Sequence, residues 1–330
     1  MNVTTLVPVL NPIVLREQLA SLRRQTERPK RVIIADIGPE AASAMGSQLA
    51  SLLVEFSDLG ISVCSGPNLQ RSTGPERCRL LLESFSAQQD EPTELIHVLA
   101  DNSLLDPEFY AHHFIAHRAG TIQCAISQPW NSTDVVEFGK GNALPPMISE
   151  PDYSFLAVSS NAVFGLILGP PYPSNWLGTL SNATFRSQMA DSLTEPSLLG
   201  IPFSGQESLG FFLKAASTSP LGFVRMPLGR PAPPDFLGGL MPDPTNLAQA
   251  RLAFFALAIA GRRLGFLNAE QCGLMFAAWG SFVYRHHSNE AEVADLCGIL
   301  PSLAGGERNS EAKFVRLWNE YLHLLRHKNR

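Results

Sequence analysis

The sequence predicts an α/β protein: a mostly parallel central sheet covered by helices, followed by a C-terminal all-α domain. Three observations lead there. Apolar β-branched runs alternate with helical periodicity from Val3 onward, as expected of parallel strands joined by helical crossovers. Pro227, Pro231, Pro233, Pro234, Pro242 and Pro244 crowd residues 226–245, the composition of a stiff linker crossing a surface. From Asn246 the apolar spacing turns helical. The expected organisation is therefore an α/β domain over 1–225, a linker over 226–245 and a helical domain over 246–330.

Val3 to Val9 is an apolar run ended by Pro8 and Asn11-Pro12, which reads as a buried strand and turn. Leu15, Leu19 and Leu22 recur at helical spacing from Ile13 until Thr26 and Pro29. Arg31 to Asp36 is the next strand, broken by Ile37-Gly38-Pro39. Residues 40–56 read as a helix, Ile61 to Cys64 as a third strand, and Gly74-Pro75 opens a helix through Phe85. The strand beginning at Ile96 ends abruptly in Asp101-Asn102-Ser103, and Asp106-Pro107 opens a further helix. Ligands of α/β proteins lie outside the carboxyl ends of strands, so this ending is a candidate site floor. An ordinary strand-to-helix turn capped by Asp106 would use the same residues. Thr121 to Gln128 reads as another strand. In the C-terminal part, Leu247–Leu264, Ala269–His286, Glu290–Leu300 and Ser310–Lys328 are expected helices, with caps at Asn268 and Ser288.

Composition narrows the function classes. A net charge of −5 over 330 residues gives no general affinity for nucleic acid. The five cysteines (Cys64, Cys78, Cys124, Cys272, Cys297) form no C-x-x-C pair, against a disulfide framework or a zinc site. No signal peptide is read at the N-terminus. The longest apolar run of the C-terminal part, Leu252 to Gly261, is about half a membrane span. A soluble, reduced, cytoplasmic protein is expected, with the sequons at Asn131 and Asn182 accidental.

Five segments in order resemble the nucleotide-sugar half of family 2 glycosyltransferases, which have the GT-A fold. Pro8-Val9-Leu10-Asn11 resembles the family's P-V-Y-N, and Ser21-Leu22-Arg23-Arg24-Gln25-Thr26 its S-L-x-x-Q-T. Asp36-Ile37-Gly38-Pro39 stands at D-D-G-S, and Gly74-Pro75-Glu76-Arg77-Cys78 at G-x-x-x-A-R-N. Leu99 through Pro107 corresponds to L-D-x-D-D-x-L-x-P. Further on, Leu180 to Arg186 resembles G-S-N-x-x-F-R, and Gly205 to Lys214 the G-E-D-x-x-x-x-x-R helix. The resemblance covers roughly residues 1–225 and implies a GT-A-like nucleotide-binding fold. It also implies an inverting sugar transferase of polysaccharide biosynthesis. The donor would be a nucleoside-diphosphate sugar, a UDP-sugar favoured, and the acceptor a saccharide, a lipid-linked glycan or a protein.

By the same resemblance Asp36 accepts hydrogen bonds from base or ribose, with backbone around Val9 and Leu10 lining that slot. A carboxylate capping the turn before Gly38 is the structural alternative for Asp36. Arg77, one turn into its helix, would hold ribose, base or phosphate oxygens; an exposed helix arginine is the alternative. The family's two D-x-D carboxylates serve ribose and a divalent cation, but in this register they fall on Ala100 and Asn102. Asp101 is then the sole carboxylate, with Asn102 and Ser103 offering neutral oxygens. Either Asp101 and Asn102 form a thinned manganese or magnesium site, or basic residues compensate the diphosphate, or the site is not catalytic. The family's catalytic aspartate falls on Ser208, which leaves Glu207 as the expected base; a glutamate favoured by the helix dipole is the alternative. A catalytically inactive binding or scaffolding relative is the competing function.

His113 and His117 stand one helical turn apart, a zinc-compatible spacing without the flanking residues of a zinc motif. His286-His287 ends a helix at its negative pole. Tyr172 and Trp176 lie in a proline-aromatic loop suited either to sugar faces or to core packing. The C-terminal helices could serve dimerisation, acceptor holding or cover. Leu252, Phe255, Ala256 and Ile259, flanked by Arg251, Arg262 and Arg263, would allow peripheral contact with an anionic membrane, or core burial.

Overall fold

A computed structural model describes residues 1–8, 12–35, 49–64, 74–87, 93–100, 103–128, 155–169, 172–231 and 247–328. The chain divides into two compact units. The first comprises Met1–Val158, Leu177–Glu195 and Ser219–Leu240; the second comprises Ser159–Trp176, Pro196–Thr218 and Met241–Arg330. Two segments preceding residue 225 thus belong with the C-terminal helices.

The first unit is built on strands β1 (Val3–Val7), β2 (Arg31–Ala35), β3 (Ile61–Cys64), β4 (Leu95–Val98), β5 (Ser103–Leu105), β6 (Cys124–Ser127), β7 (Phe155–Val158), β8 (Ala183–Arg186), β9 (Leu221–Val224) and β10 (Gly229–Pro231). Eight of them form one sheet in the order β3-β2-β1-β4-β8-β6-β9-β7. The β3–β2, β2–β1, β1–β4 and β6–β9 pairs are parallel, whereas β8 runs antiparallel to both β4 and β6, and β7 antiparallel to β9. Every residue of β1 and β4 is buried, as expected of strands covered on both faces.

Helices α1 (Pro12–Arg23), α2 (Gly74–Ala87) and α3 (Phe109–Arg118) belong to this unit. The apolar spacing on α1 places Leu15, Leu19 and Leu22 in one buried cluster with Val3, Val7, Leu95 and Leu99, and with Phe109, Tyr110 and Phe114 of α3. Strand alternation puts Thr5 and His97, a registered pair, on that same covered face. The Arg31–Asp36 and Ile61–Cys64 strands form where expected, except that Asp36 is outside the described residues; the Thr121–Gln128 strand is shorter, Cys124–Ser127. Gly60, at φ +58°, turns the chain into β3 with its α-carbon so close to the Lys30 carbonyl that an added Cβ would lie 2.9 Å from that oxygen.

The proline-rich stretch is not wholly a surface linker. Leu228 is buried in the core cluster and β10 pairs antiparallel with β5. An extended Gly-Arg-Pro segment can be an edge strand, where proline's missing N–H costs nothing. Residues 232–246 are outside the described residues.

The second unit contains α4 (Ser160–Leu168), α5 (Glu207–Ala216), α6 (Leu247–Arg263), α7 (Ala269–His287), α8 (Ala294–Ala304) and α9 (Ser310–Lys328). Asn268 caps α7 through a reciprocal pair: Gln271 N–H donates to Asn268 Oδ1 at 2.8 Å, and Asn268 N–H to Gln271 Oε1 at 3.0 Å. Ser288 does not start the next helix. Its N–H donates to the Tyr284 carbonyl, closing α7, and α8 begins only at Ala294.

Leu252, Phe255, Ala256 and Ile259 are all buried, with Phe255 stacked against Phe276 at 5.8 Å. That face of α6 is core and therefore unavailable to a membrane surface. Arg251 is buried too. It donates to His287 Nε2 at 2.8 Å, lies 4.9 Å from the centre of the Phe282 ring, and His287 Nδ1 meets Glu290 Oε1 at 2.7 Å. Of the two histidines ending α7, His286 alone serves the helix terminus, with Nδ1 on the Phe282 carbonyl at 2.8 Å. Among the described residues no helix is long and apolar enough to cross a membrane.

Candidate functional site

Strands β1, β4, β6 and β9 all run in one direction, since β4 and β6 are each antiparallel to β8. Their carboxyl ends therefore open on one edge of the sheet. Pro8, Ala100, Gln128 and Arg225 stand at or just beyond those ends. Val9, Asp36, Asp101 and Asn102, the expected nucleotide and metal residues, follow strands of this direction in sequence but lie outside the described residues. Arg77 is on α2; its side chain is likewise outside the description.

What the structure does describe is how the chain is held on either side of positions 101 and 102. Ser181, in a tight 3-10 turn over Leu180–Asn182, donates its hydroxyl to the Ala100 carbonyl at 2.7 Å and accepts the Ala100 N–H at 2.9 Å. One side chain thus satisfies both backbone groups of Ala100. The Ser103 N–H also donates to the Ala100 carbonyl, at 3.2 Å, and the Asp106 N–H to Leu228 at 2.9 Å. Strand β5 is clamped by β10, Ser103 opposite Pro231 and Leu105 opposite Gly229. Gln25, from the Q-T pair of the sequence, explains its own place: its amide donates to the carbonyls of Asp106 (2.7 Å) and Ser21 (3.2 Å), tying the end of α1 to the start of α3.

Beneath this edge lies a buried polar chain whose proton directions follow from its acceptors. His97 Nε2 faces the Ser181 carbonyl at 2.9 Å, so that nitrogen carries the hydrogen. Nδ1 then accepts from the Tyr110 hydroxyl at 2.8 Å, which accepts in turn from Thr5 at 2.6 Å. Burial lowers the His97 pKa to about 4, so the ring is neutral at pH 7, and it raises that of Tyr110.

His113 and His117 converge on a hydroxyl, not a metal. His117 Nδ1 donates to the Ile122 carbonyl at 3.2 Å, so Nε2 accepts from Thr184 at 2.9 Å, and the Thr184 oxygen accepts from His113 Nδ1 at 2.9 Å. His113 Nε2 is left buried without a partner. Among the described residues no group of three His, Cys, Asp or Glu side chains is placed to hold a metal. Asp101 and Asn102 contribute one carboxylate and one amide, a poor donor set for a hard cation.

Asn182 is fully engaged. Nδ2 donates to the carbonyls of Ser127 and Leu177, and Oδ1 accepts the Thr179 N–H, each at 2.7 Å. The sequon at Asn182 is thus buried structure. Asn182→Ala removes a hydrogen bond from three backbone groups, the carbonyls of Ser127 and Leu177 and the N–H of Thr179, and is expected to cost ~3 kcal/mol in urea unfolding. A cost below ~1 kcal/mol would remove Asn182 from the framework of this edge.

Glu207 opens α5 in the helical unit and is half-buried. Its Oε1 accepts the Gly205 N–H at 2.8 Å and the Ser204 hydroxyl at 3.5 Å. Gly205, at φ +92°, sits where a Cβ would come 3.1 Å from the Ala250 backbone, and Gln206 Nε2 donates to the Ala250 carbonyl at 3.3 Å. The loop is thus docked on α6 and the carboxylate is aligned with the positive end of α5. In the same unit Trp176 is buried, a core residue, whereas Tyr172 is exposed.

Sequence reasoning passed over Ser181 and Arg225. Arg225 had a usable signal: a charged residue directly after the apolar run Leu221 to Val224, the pattern that singled out Asp36 and Asp101.

No protein-family model matches the chain, and no curated protein matches it. Solved structures do. S. aureus TarS 1-349 in complex with UDP-GlcNAc aligns with a TM-score of 0.52 at 12% identity, covering 98% of this chain and 92% of that one. The mannosyltransferase PcManGT from Pyrobaculum calidifontis, in complex with GDP-Man and Mn2+, aligns with a TM-score of 0.50 at 15% identity, covering 99% and 86%. The fold is therefore GT-A-like: a mostly parallel central sheet with a helical C-terminal region.

Proposed function

We propose that this chain is a glycosyltransferase that takes its sugar from a nucleoside-diphosphate donor. The observation that supports this most is the carboxyl edge of the sheet. There Ser181 and β10 fix the chain on both sides of Asp101-Asn102 in a GT-A-like fold, where preorganised polar groups suit ligand recognition. TarS with UDP-GlcNAc and PcManGT with GDP-Man are similar folds holding such donors, which makes UDP- and GDP-sugars the donors to try first.

In this reading Val9 backbone, Asp36 and Arg77 hold base and ribose, and Asp101 with Asn102 faces ribose and diphosphate. A manganese or magnesium ion bound there would supply charge to the leaving diphosphate. Glu207 is the base. It takes the proton of an acceptor hydroxyl on a saccharide, lipid-linked glycan or protein. That oxygen bonds to the anomeric carbon as the bond from that carbon to the phosphate oxygen breaks, inverting the centre and releasing the nucleoside diphosphate. A second reading, a catalytically inactive relative, is favoured by one observation: the Glu207 carboxylate is already engaged by the Gly205 N–H of the loop that precedes its helix.

The deciding experiment is calorimetric titration of UDP and of GDP, with and without manganese, on wild type and Asp101→Ala. Binding by wild type that weakens at least ~10-fold in Asp101→Ala is expected, the worth of a lost hydrogen bond to a charged group. No binding to either nucleotide under any condition would overturn the proposal. Binding without hydrolysis or transfer of any UDP- or GDP-sugar would favour the inactive relative.

A further inference from the structure

We infer that Arg225 is the cation that neutralises the donor's diphosphate, doing with a guanidinium what a divalent metal would otherwise do; this rests on the nucleotide-sugar reading above. Arg225 directly follows β9, at the same carboxyl edge as Ala100 and Ser103. Its backbone is pinned on both sides, because the Gln128 N–H donates to the carbonyls of Val224 (2.8 Å) and Met226 (3.1 Å). The chain then returns along this edge, six residues on, to place Pro231 opposite Ser103.

The guanidinium so placed is unsatisfied. Its Nε and Nη1 are buried and have no hydrogen-bond partner, and among the described residues no carboxylate pairs with it. The Ser103 hydroxyl, fully buried at the residue after Asn102, is also without a partner. Proteins rarely leave buried donors unmet, and a charge left so needs a counter-ion. A water molecule would satisfy a donor but not the charge. An anion with several oxygens does both, because a guanidinium presents parallel N–H groups that match phosphate geometry. Asp101-Asn102, with one carboxylate, gives a metal little anionic ligation, so the positive charge has to come from elsewhere. Arg225 supplies it from the scaffold itself.

The inference has a signature that a structural arginine lacks. Arg225→Met removes a half-buried cation whose Nε and Nη1 have no partner, while keeping much of its volume. It is therefore expected to melt at the same or a higher temperature than wild type without ligand, yet to bind UDP and inorganic pyrophosphate ~10- to 100-fold more weakly in EDTA. Arg225→Lys, which keeps the charge but loses the fork, should fall between. If the Met variant does not fold, Arg225→Gln carries the same expectation for affinity.

Unchanged UDP affinity in the folded Met or Gln variant would overturn the inference and leave the nucleotide-sugar reading standing, as would UDP binding by wild type that strictly requires manganese. Pyrophosphate binding that Arg225→Met abolishes, in a wild type that ignores every nucleotide, would overturn the nucleotide-sugar reading while sustaining an anion site at Arg225. If wild type binds neither probe, both fall.

Discussion

Glu207→Gln is expected to lower donor turnover by ~10²- to 10⁴-fold, the range in which a positioned general base acts, with little change in stability. The substitution separates the two things this side chain can do. As a loop anchor, Glu207 Oε1 accepts the Gly205 N–H at 2.8 Å, and a glutamine carbonyl oxygen accepts the same hydrogen. As a base, the carboxylate must take a proton from an incoming hydroxyl, which an amide does not do. Glu207→Ala removes both, so it is expected to match the glutamine variant in turnover and to lose a further ~1 kcal/mol of stability through the lost hydrogen bond to the Gly205 N–H.

Rates of donor hydrolysis, with water as the acceptor, are the measurement to make, because they need no knowledge of the natural acceptor. Urea midpoints of the two variants give the control. A glutamine variant that hydrolyses donor at the wild-type rate would leave Glu207 an anchor of the Ser204-Gly205 loop and send the search for the base elsewhere. A loss of stability in Glu207→Gln equal to that in Glu207→Ala would mean the charge at the α5 terminus, not the hydrogen bond, is what the fold uses.

The parts of this architecture that were legible in the sequence are those set by local spacing. Leu15, Leu19 and Leu22 announced α1, and the β-branched, mostly apolar runs announced β1, β2 and β4. The C-terminal helices emerged within a few residues of their expected bounds because caps such as Asn268 act over three residues. Strand β10 was hidden by its prolines, since an edge strand and a surface linker can share a composition. Helix α4 was hidden for another reason: Ser160–Leu168 is almost uniformly apolar and so has little period. The site was legible only as strand endings. That Ser181 would hold Ala100 from 81 positions away, or Thr5 meet Tyr110 across 105, depends on the order of strands in the sheet, which no local pattern encodes. Burial is likewise a property of the folded edge: the position of Arg225 directly after an apolar run was legible, but that its Nε and Nη1 are buried without a partner was not.

Acidification is expected to unfold this protein well before its carboxylates are exhausted, because three histidines of the sheet unit are buried in neutral form. His97 and His117 have pKa values lowered to about 4, and His113 lies well below the ordinary value of 6.5; burial is the first cause for each, with neighbouring histidines adding to the shift of His113. The unfolded chain regains the ordinary value. Below pH 6.5 it therefore binds protons the folded state refuses, so stability present in full above pH 6.5 is lost as pH falls toward about 4. His97 and His117 contribute ~3 kcal/mol each over that span, and all three together give a slope approaching ~4 kcal/mol per pH unit near pH 5. Urea unfolding at pH 7.5, 6 and 5 measures this slope, and His113→Phe tests its origin. The His113 ring stacks on Phe109 at 4.1 Å and already has one nitrogen without a partner, so phenylalanine keeps the stacking and sacrifices only the bond to Thr184, whose hydroxyl still donates to His117. The variant should be close to wild type at pH 7.5 and lose about one third of the slope near pH 5. An unaltered slope would show that His113 is already protonated in the folded protein, with Nδ1 still donating to Thr184.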